Sequence, residues 1–438
     1  MEKPIEQNGL VVIAAILDIE YKRLEGLLEQ LQNITMINSP LRLVKGVHFL
    51  RFLILPGREF SGKKTIPNQL LYSCSHDESL EDHLLKITYP PILQWFVDIF
   101  SCCTDFDKTI GKKEAVRNFI MDHAKKTNAF YRGHQVQSAA SIIIGQKIYD
   151  CIQQYLNDNF SYDIDLLELK DKIMTHVKNS IPCEEIVAVK LPQINVQIIR
   201  IILALPFIVL LIVAGFISWL LLIGIILLLI GLVFRLRYLE IHDQDQSFPA
   251  ASAFVHQVSR THVEQLAVQE DLFPQNQLSH LVEISPGSFR AFLLNSVLFY
   301  VQTLAKYSYT MGYLGGISSI HFAGWTIIDR GNRLLFLSNF DGSWENYLSD
   351  FVDRAATGLT AVWSNTVNFP PTRFLAIDGA NDEEKFKKWV RKYQIKTQVW
   401  YSAHEQQTVK NIWRNYHIAV GLFQKMDEKA VANWFKLL

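Results

Sequence analysis

The stretch KTQVWYSAHEQQTV, residues 396–409, repeats an earlier stretch of the same chain, KTNAFYRGHQVQSA, residues 126–139. Lysine, threonine, tyrosine, histidine and a glutamine three residues after the histidine fall in register, and an aromatic residue precedes each tyrosine. An uncharged apolar run, Ile201–Phe234, separates the two copies. The repeat therefore predicts two related halves with a hydrophobic insert between them.

Hydrophobic periodicity predicts the same order of elements in both halves. Helical patterns fall after the first strand, after the third strand and after the fourth, which gives βαββαβ plus a closing helix, the ferredoxin-like arrangement. The predicted strands are 10–17, 47–55, 69–75 and 127–133 in the first half, and 279–284, 319–329, 333–340 and 397–402 in the second.

Two shorter echoes support the duplication. VHF at 47–49 answers IHF at 320–322, and HDESLEDHL at 76–84 answers FDGSWENYL at 340–348. A sheet with helices on one face leaves an apolar second face that must be covered. We therefore predict an α+β fold in which two ferredoxin-like halves pack sheet against sheet, as a pseudo-dimeric α/β barrel.

The predicted domains follow from the repeat and the insert. The first half spans 1–160, a linker spans 161–197, a transmembrane helical hairpin spans 198–237, a second linker spans 238–275, and the second half spans 276–438.

The apolar run predicts a membrane hairpin. As one helix it would be about 51 Å long at 1.5 Å per residue, whereas a bilayer core of about 30 Å needs roughly 20 residues. Two passes with a turn near Ala214–Trp219 fit better. A shallower re-entrant hairpin, bent at Pro206 and Gly215, and a buried hairpin of a soluble protein remain alternatives.

Charge and cysteine content restrict the class of protein and its location. Lys+Arg and Asp+Glu both number 43, so the formal net charge is zero and nucleic-acid binding is not expected. Arg200, Arg235 and Arg237 flank the apolar run on both sides, which predicts an inner (cytoplasmic) membrane protein with both soluble halves in the cytoplasm. Five unpatterned cysteines, Cys183 among them, are typical of free thiols and predict no zinc site.

Several polar residues are candidates for a site. His48 and His321 open the second strand of each half. Strict alternation places His48 with Leu50, Phe52 and Ile54, and His321 with Ala323, Trp325 and Ile327, on faces expected to be core-directed. Both are interpreted either as members of a functional cavity between the sheets or as core histidines bonded to backbone carbonyls. The predicted lining of a ligand cavity is His48, Arg51, Trp325, Tyr131 and Tyr401.

Asp341 precedes Ser343 at a predicted helix start. Its carboxylate is interpreted as a helix-capping or turn group, or as a catalytic acid that acts with His321. No metal site is predicted.

The order of elements resembles that of dye-decolorising peroxidases and chlorite dismutases, which join two ferredoxin-like modules into an α/β barrel. The peroxidase motif G-x-x-D-G is matched at Asp341 and Gly342 of SNFDG, with Ser338 in place of the first glycine. The resemblance implies haem-dependent oxidoreductase activity, with Asp341 and a histidine from His321, His404 and His417 at the haem. The second half also resembles a group of bacterial membrane-associated proteins.

Three functions are consistent with the sequence. The first is a membrane-anchored protein whose inter-sheet cavity binds an apolar or lipid-like small molecule. The second is a haem-dependent, peroxidase-like oxidoreductase. The third is an oligomeric membrane scaffold, in which the hairpin brings copies of the chain together as a homo-oligomer.

Overall fold

The computed structural model of the chain describes residues 7–60, 64–90, 92–159, 165–182, 189, 193–245, 259–268 and 270–438. Cys183 lies outside these residues. The fold is α+β, with two four-stranded antiparallel sheets and a pair of long apolar helices. The strands are β1 (Asn8–Ala15), β2 (Val47–Leu55), β3 (Arg58–Phe60), β4 (Lys64–Ile66), β5 (Gln69–His76), β6 (Ala129–Arg132), β7 (Gln275–Glu283), β8 (Ile320–Ile328), β9 (Arg333–Asp341), β10 (Thr372–Arg373), β11 (Ile377–Asp378) and β12 (Val399–Ser402).

The described helices number fourteen when the short 3₁₀ turns are left aside. They are α1 (Tyr21–Asn38), α2 (Leu80–Ile87), α3 (Ile92–Phe100), α4 (Lys112–His123), α5 (Ala139–Asn159), α6 (Leu166–Ser180), α7 (Val196–Ile217), α8 (Trp219–Asp245), α9 (Arg260–Ala267), α10 (Ser288–Tyr307), α11 (Trp344–Trp363), α12 (Glu383–Tyr393), α13 (Val409–Phe423) and α14 (Glu428–Phe435).

The two large sheets exchange their last strands. The first sheet has the order β1-β5-β2-β12, and the second has the order β6-β8-β9-β7. Strand β12, near the end of the chain, therefore pairs with β2, and β6 pairs with β8. The expectation that each half completes its own four-stranded sheet is wrong, because each sheet takes one edge strand from the other half of the chain.

The sheets pack face to face. Side chains of β1, β2 and β5 meet side chains of β7, β8 and β9 in one buried apolar cluster. The cluster contains Val11, Ile13, Leu53, Leu55, Leu71, Leu281, Ile328, Leu335 and Leu337. The outer face of each sheet is covered by helices: α1, α3 and α4 cover the first, and α10, α11 and α12 cover the second. Burial of both faces explains why β2 is buried along its whole length.

Two helices, α7 and α8, form the apolar hairpin. Each is long and apolar enough to cross a membrane, and only 11% and 6% of their most hydrophobic windows are buried against the rest of the protein. Ser218 lies between the two helices with an extended backbone. An outward-facing apolar surface on both helices is typical of contact with lipid.

The two predicted linkers are partly helical. In 161–197, α6 packs on α5, α13 and α14 around Ile173 and Ile418. In 238–275, α8 continues to Asp245 beyond the predicted hairpin boundary, and α9 follows at Arg260. Both segments therefore contribute helices to the folded protein in the part that the structure describes.

Candidate metal centre

Two β-bulges position His48 and His321. The register of β2 against β5 shifts between Val47 and Phe49, and that of β8 against β9 shifts between Ile320 and Phe322. A bulge interrupts strict alternation and re-aims the extra side chain. The predicted face assignment is therefore wrong for both histidines: Leu50 and Trp325 point to the helices, whereas both histidine rings lie between the sheets.

The exchanged strands bring two more histidines to the same place. His134 follows β6, and the backbone N–H of Gly133 donates to His321 O at 2.7 Å. His404 follows β12, and the N–H of Ala403 donates to His48 O at 2.9 Å. The exchange thus places one histidine from each half of the chain beside a bulge histidine of the other half.

A carboxylate fixes each of the two bulge histidines. His48 Nε2 lies 2.5 Å from Asp77 Oδ1, and His321 Nε2 lies 2.7 Å from Asp341 Oδ1. The second oxygen of each carboxylate accepts a backbone N–H at the start of a helix, from Ala139 in α5 and from Val409 in α13. Each Nε2–H therefore donates to a carboxylate, which leaves the Nδ1 lone pair directed elsewhere.

Two glutamines support the other pair. Gln7 Nε2 donates to the carbonyl oxygens of His134 and Gln137 at 3.0 and 2.7 Å. Gln275 Nε2 donates to those of His404 and Gln407 at 3.0 and 2.5 Å. These bonds hold the two loops that carry His134 and His404 in corresponding conformations.

The four imidazoles form one enclosed cluster. His48, His134 and His321 are 0% exposed and His404 is 5% exposed. Ring centroids lie 4.9 Å apart for His48–His134, 5.5 Å for His48–His404, 5.6 Å for His134–His321, 5.7 Å for His134–His404 and 5.7 Å for His321–His404. One nitrogen from each of His48, His134 and His404 lies within 4.8 Å of the other two, a spacing that suits a shared metal ion.

Hydrogen bonding does not account for all of these nitrogens. His48 Nδ1 lies 3.3 Å from His404 Nε2. Within the described residues, His134 Nε2 and His321 Nδ1 are buried and have no hydrogen-bond partner. A buried polar atom without a partner costs about 1–3 kcal/mol. A metal ion held among the rings would satisfy both nitrogens.

The protonation state of the histidine cluster favours the binding of a cation. Burial lowers the pKa of His134 and His404 well below the usual value for histidine, and the neighbouring imidazoles His48 and His321 lower it further. Both rings are therefore neutral at physiological pH, which is the state that binds metals. Asp77 and Asp341 bring two negative charges beside the cluster, and a divalent cation would balance both.

The residues predicted to line one ligand cavity do not do so. Arg51 spans the gap between the sheets, and its guanidinium donates to Leu278 O, Ser279 Oγ, Ser338 O and Asn339 Oδ1 on the second sheet. Trp325, Tyr131 and Tyr401 lie on the helix-facing sides of the sheets. The space between the sheets near Arg51 is about 30 Å³, room for about one water molecule.

The predicted haem residues do not fit a porphyrin. His321 and His404 lie in the enclosed cluster with their ring centroids 5.7 Å apart, which leaves no room for a porphyrin between them. The neighbouring space near Arg51, about 30 Å³, is far smaller than the roughly 300–1,000 Å³ of sites for ligands of drug size or larger. His417 lies outside the cluster, and its ring contacts are Trp413 and Tyr416. Asp341 orients His321 and caps α13, so both bonds of its carboxylate are internal.

His134, Asp77 and the two glutamines are not among the site residues predicted from the sequence, and no metal was predicted from it. The repeat itself held the signal: each pair, His48 with His321, His134 with His404 and Asp77 with Asp341, occupies equivalent positions of the two echoes. Six polar residues in three matched pairs favour a shared site over six separate structural roles.

Comparison with known proteins gives no match: no family model, no curated protein and no solved structure is significantly similar to this chain.

Proposed function

We propose that the chain is a membrane-anchored metalloprotein, built from a duplicated ferredoxin-like unit, that holds one divalent transition-metal ion between its halves. His48 and His321 bind through Nδ1, and His134 and His404 bind through Nε2. The observation that carries the proposal is the enclosed cluster of imidazoles, in which one nitrogen from each of His48, His134 and His404 lies within 4.8 Å of the other two and two nitrogens have no hydrogen-bond partner among the described residues.

The distances suit such an ion. Metal–nitrogen bonds of about 2.05 Å in a tetrahedral site put neighbouring nitrogens about 3.3 Å apart, and His48 Nδ1 and His404 Nε2 are 3.3 Å apart. Imidazole nitrogens favour zinc, copper, iron or nickel over magnesium or calcium. The carboxylate–histidine pairs at Asp77 and Asp341 are the partners that orient metal-bound histidines in known sites.

The chemistry of the site follows from its enclosure. Four protein ligands complete the tetrahedral coordination sphere of the ion. No coordination position then stays open for substrate or water, as in structural zinc sites. The ligands come from both halves of the chain and from both sheets. The ion therefore joins the halves, and its binding free energy adds to the stability of the fold.

The metal content of the full chain tests the proposal. The protein is purified in non-ionic detergent without histidine tags, supplied with zinc, copper, iron and nickel in turn, and analysed by mass spectrometry for metal per chain. We expect about one ion per chain. Cobalt(II) should give the strong visible absorption of a tetrahedral nitrogen site.

Matched histidine variants make this test specific. His134→Gln and His404→Gln should lower the metal content sharply, whereas His417→Gln, which changes a half-buried histidine outside the cluster, should leave it unchanged. Equal metal content in all three variants, or none in the parent chain after supplementation, would overturn the proposal.

We also propose that α7 and α8 anchor the protein in a membrane. The hairpin of α7 and α8 returns the chain to the side it left, and arginines stand at both of its ends. We infer that both halves lie on the cytoplasmic side. Reporter fusions at the two termini should report the same cytoplasmic location, and opposite locations would contradict it.

A further inference from the structure

Helix α10 carries apolar side chains on two opposite faces. Its inner face packs on the second sheet through the buried residues Leu294, Leu298 and Ala305. Its outer face presents Phe292 and Phe299, which are 64% and 63% exposed. These two residues are seven positions apart, which places them on the same side of the helix. A helix that is apolar all round is normally covered on every side, so the outer face of α10 requires a second apolar cover.

The sequence around α10 contains no acidic residue. Positions 284–328 include Arg290 and Lys306 but neither aspartate nor glutamate. Helix α12, which covers the same sheet, differs because its exposed side carries ion pairs, such as Lys388 with Glu384. Paired charges of that kind are typical of a helix surface in water. An apolar face with basic and without acidic neighbours instead suits the surface of an anionic bilayer.

Contacts with both ends of the hairpin fix the level of α10. Arg200 and Arg235 border the apolar run, and each lies about 26 Å from the turn at Ser218 at 1.5 Å per residue. Arg200 Nε donates to the Tyr300 hydroxyl at 3.2 Å. The Arg235 guanidinium lies 5.6 Å from the centre of the Phe289 ring. The part of α10 from Phe289 to Tyr300 therefore runs past both ends of the hairpin at one level.

This level corresponds to the edge of the hydrocarbon core. In the proposed membrane hairpin, apolar helices of about 26 Å match a hydrocarbon core of about 30 Å, so the two bordering arginines lie where headgroups begin. Both sheets lie on the inner side of α10. The outer face of α10, with Phe292 and Phe299, is therefore the side that is turned toward the bilayer.

We propose that the outer face of α10 lies on the lipid surface of the bilayer that α7 and α8 cross. Phe292 and Phe299 insert at the boundary between headgroups and acyl chains. The exposed Lys306, seven positions after Phe299 on the same side of the helix, lies beside the lipid phosphates. The inference rests on the proposed membrane hairpin and is independent of the metal centre. The folded halves are then held with the second sheet toward the membrane and the first sheet away from it.

Photo-cross-linking of the full chain in vesicles of phosphatidylcholine and phosphatidylglycerol tests the proposal. The photoreactive residue p-benzoylphenylalanine replaces Phe292 or Phe299, and mass spectrometry after irradiation identifies what each position contacts. The same residue at Leu228, which is 62% exposed within the apolar part of α8, reports on the hairpin. The control position is Met121, which is 50% exposed on α4, over the outer face of the first sheet.

We expect lipid adducts at Leu228, Phe292 and Phe299 and none at Met121. Lipid adducts at Leu228 alone would overturn the inference about α10 and leave the membrane hairpin in place. The absence of lipid adducts at all four positions would overturn the hairpin and the inference together. Adducts between two chains at Phe292 or Phe299, in place of lipid adducts, would show that α10 joins copies of the protein. That result, or an equal yield of lipid adducts at Met121, would also overturn the inference.

Discussion

His48 Nδ1 and His404 Nε2 lie 3.3 Å apart, although 356 positions of sequence separate the two residues. The contact exists because β12 crosses to the first sheet and pairs with β2, which places the loop after β12 directly beside the bulge in β2. The candidate metal centre is therefore a product of the strand exchange: without it, His404 would lie with the second sheet.

The carboxylates should tune the affinity for the metal. Asp77→Asn removes the charge that orients and polarises His48, and it should weaken binding about 10- to 100-fold. Asp82→Asn, an exposed carboxylate in the same segment, is the control. Competition with a chromogenic chelator measures both, and equal affinities would show that Asp77 only caps α5.

Stability of the metal-free protein should fall with acid. Burial lowers the pKa of His76 to about 4 and of His280 to about 3, and it holds the pKa of His83, His134 and His404 well below normal. Unfolded histidines bind protons near pH 6.5 while these folded ones stay neutral, so the unfolded state binds more protons as pH falls. Each of these histidines then lowers the free energy of unfolding by about 1.4 kcal/mol for each pH unit below about 6.5.

Melting temperatures at a series of pH values from neutral to mildly acidic check this slope. We expect the melting temperature to fall steadily as the pH is lowered from neutral through the pKa of unfolded histidine, about 6.5. Stability that is flat or rises with acid would mean that these rings are protonated in the folded protein.

Replacing His280 should stabilise the fold. Its ring lies among Trp363, Trp389 and Tyr393, and in the described structure neither ring nitrogen has a hydrogen-bond partner. His280→Leu removes two buried polar atoms at similar volume and should raise the free energy of unfolding by about 1 kcal/mol or more. It should also reduce the dependence of stability on pH.

His123→Leu is the matched control for this change, because the His123 ring already bonds Phe119 O at 2.9 Å. No gain is expected there. A loss of stability in His280→Leu would indicate that the ring has a partner that matters.

Arg51 should be important for joining the sheets. Burial lowers its pKa to about 9, so the guanidinium is still charged at neutral pH. Arg51→Met breaks its bonds to Leu278, Ser279, Ser338 and Asn339 and should cost about 3 kcal/mol or more in chemical unfolding. Arg51→Lys keeps the charge but loses the forked arrangement of donors. Its free energy of unfolding should therefore lie between those of the parent chain and Arg51→Met. Equal stability of parent and Arg51→Met would show that these bonds contribute nothing net.

Gly133 should tolerate no side chain. A Cβ at this position would lie 2.2 Å from Ile320 O, a backbone atom of the paired strand. Gly133→Ala should therefore push β6 away from β8, displace His134, and lower both the melting temperature and the metal content. Gly26→Ala in α1, where nothing lies within 4 Å, should instead stabilise by about 0.5–1 kcal/mol. If Gly133→Ala and Gly26→Ala changed the melting temperature similarly, the close approach of Gly133 to Ile320 O would be contradicted.

The sequence predicted the α+β class, the strands of the two large sheets and the pair of apolar helices because each depends on local periodicity. It could not predict the exchange, because Tyr401 is buried under helices whichever sheet β12 joins, so the hydrophobic pattern is the same in both arrangements. It misplaced His48 because alternation carries no mark of a bulge. The proximity of His134 to His48 depends on both features, and so the candidate metal centre was not predicted.

The exchange of β12 also sets an order of events during synthesis. Strands β1, β5 and β2 leave the ribosome early, but their fourth partner begins at Val399 of a chain of 438 residues. At about 5–20 residues per second, the open edge of β2 waits on the order of tens of seconds. During that interval α7 and α8 emerge, so both apolar helices leave the ribosome while the first sheet still lacks its fourth strand.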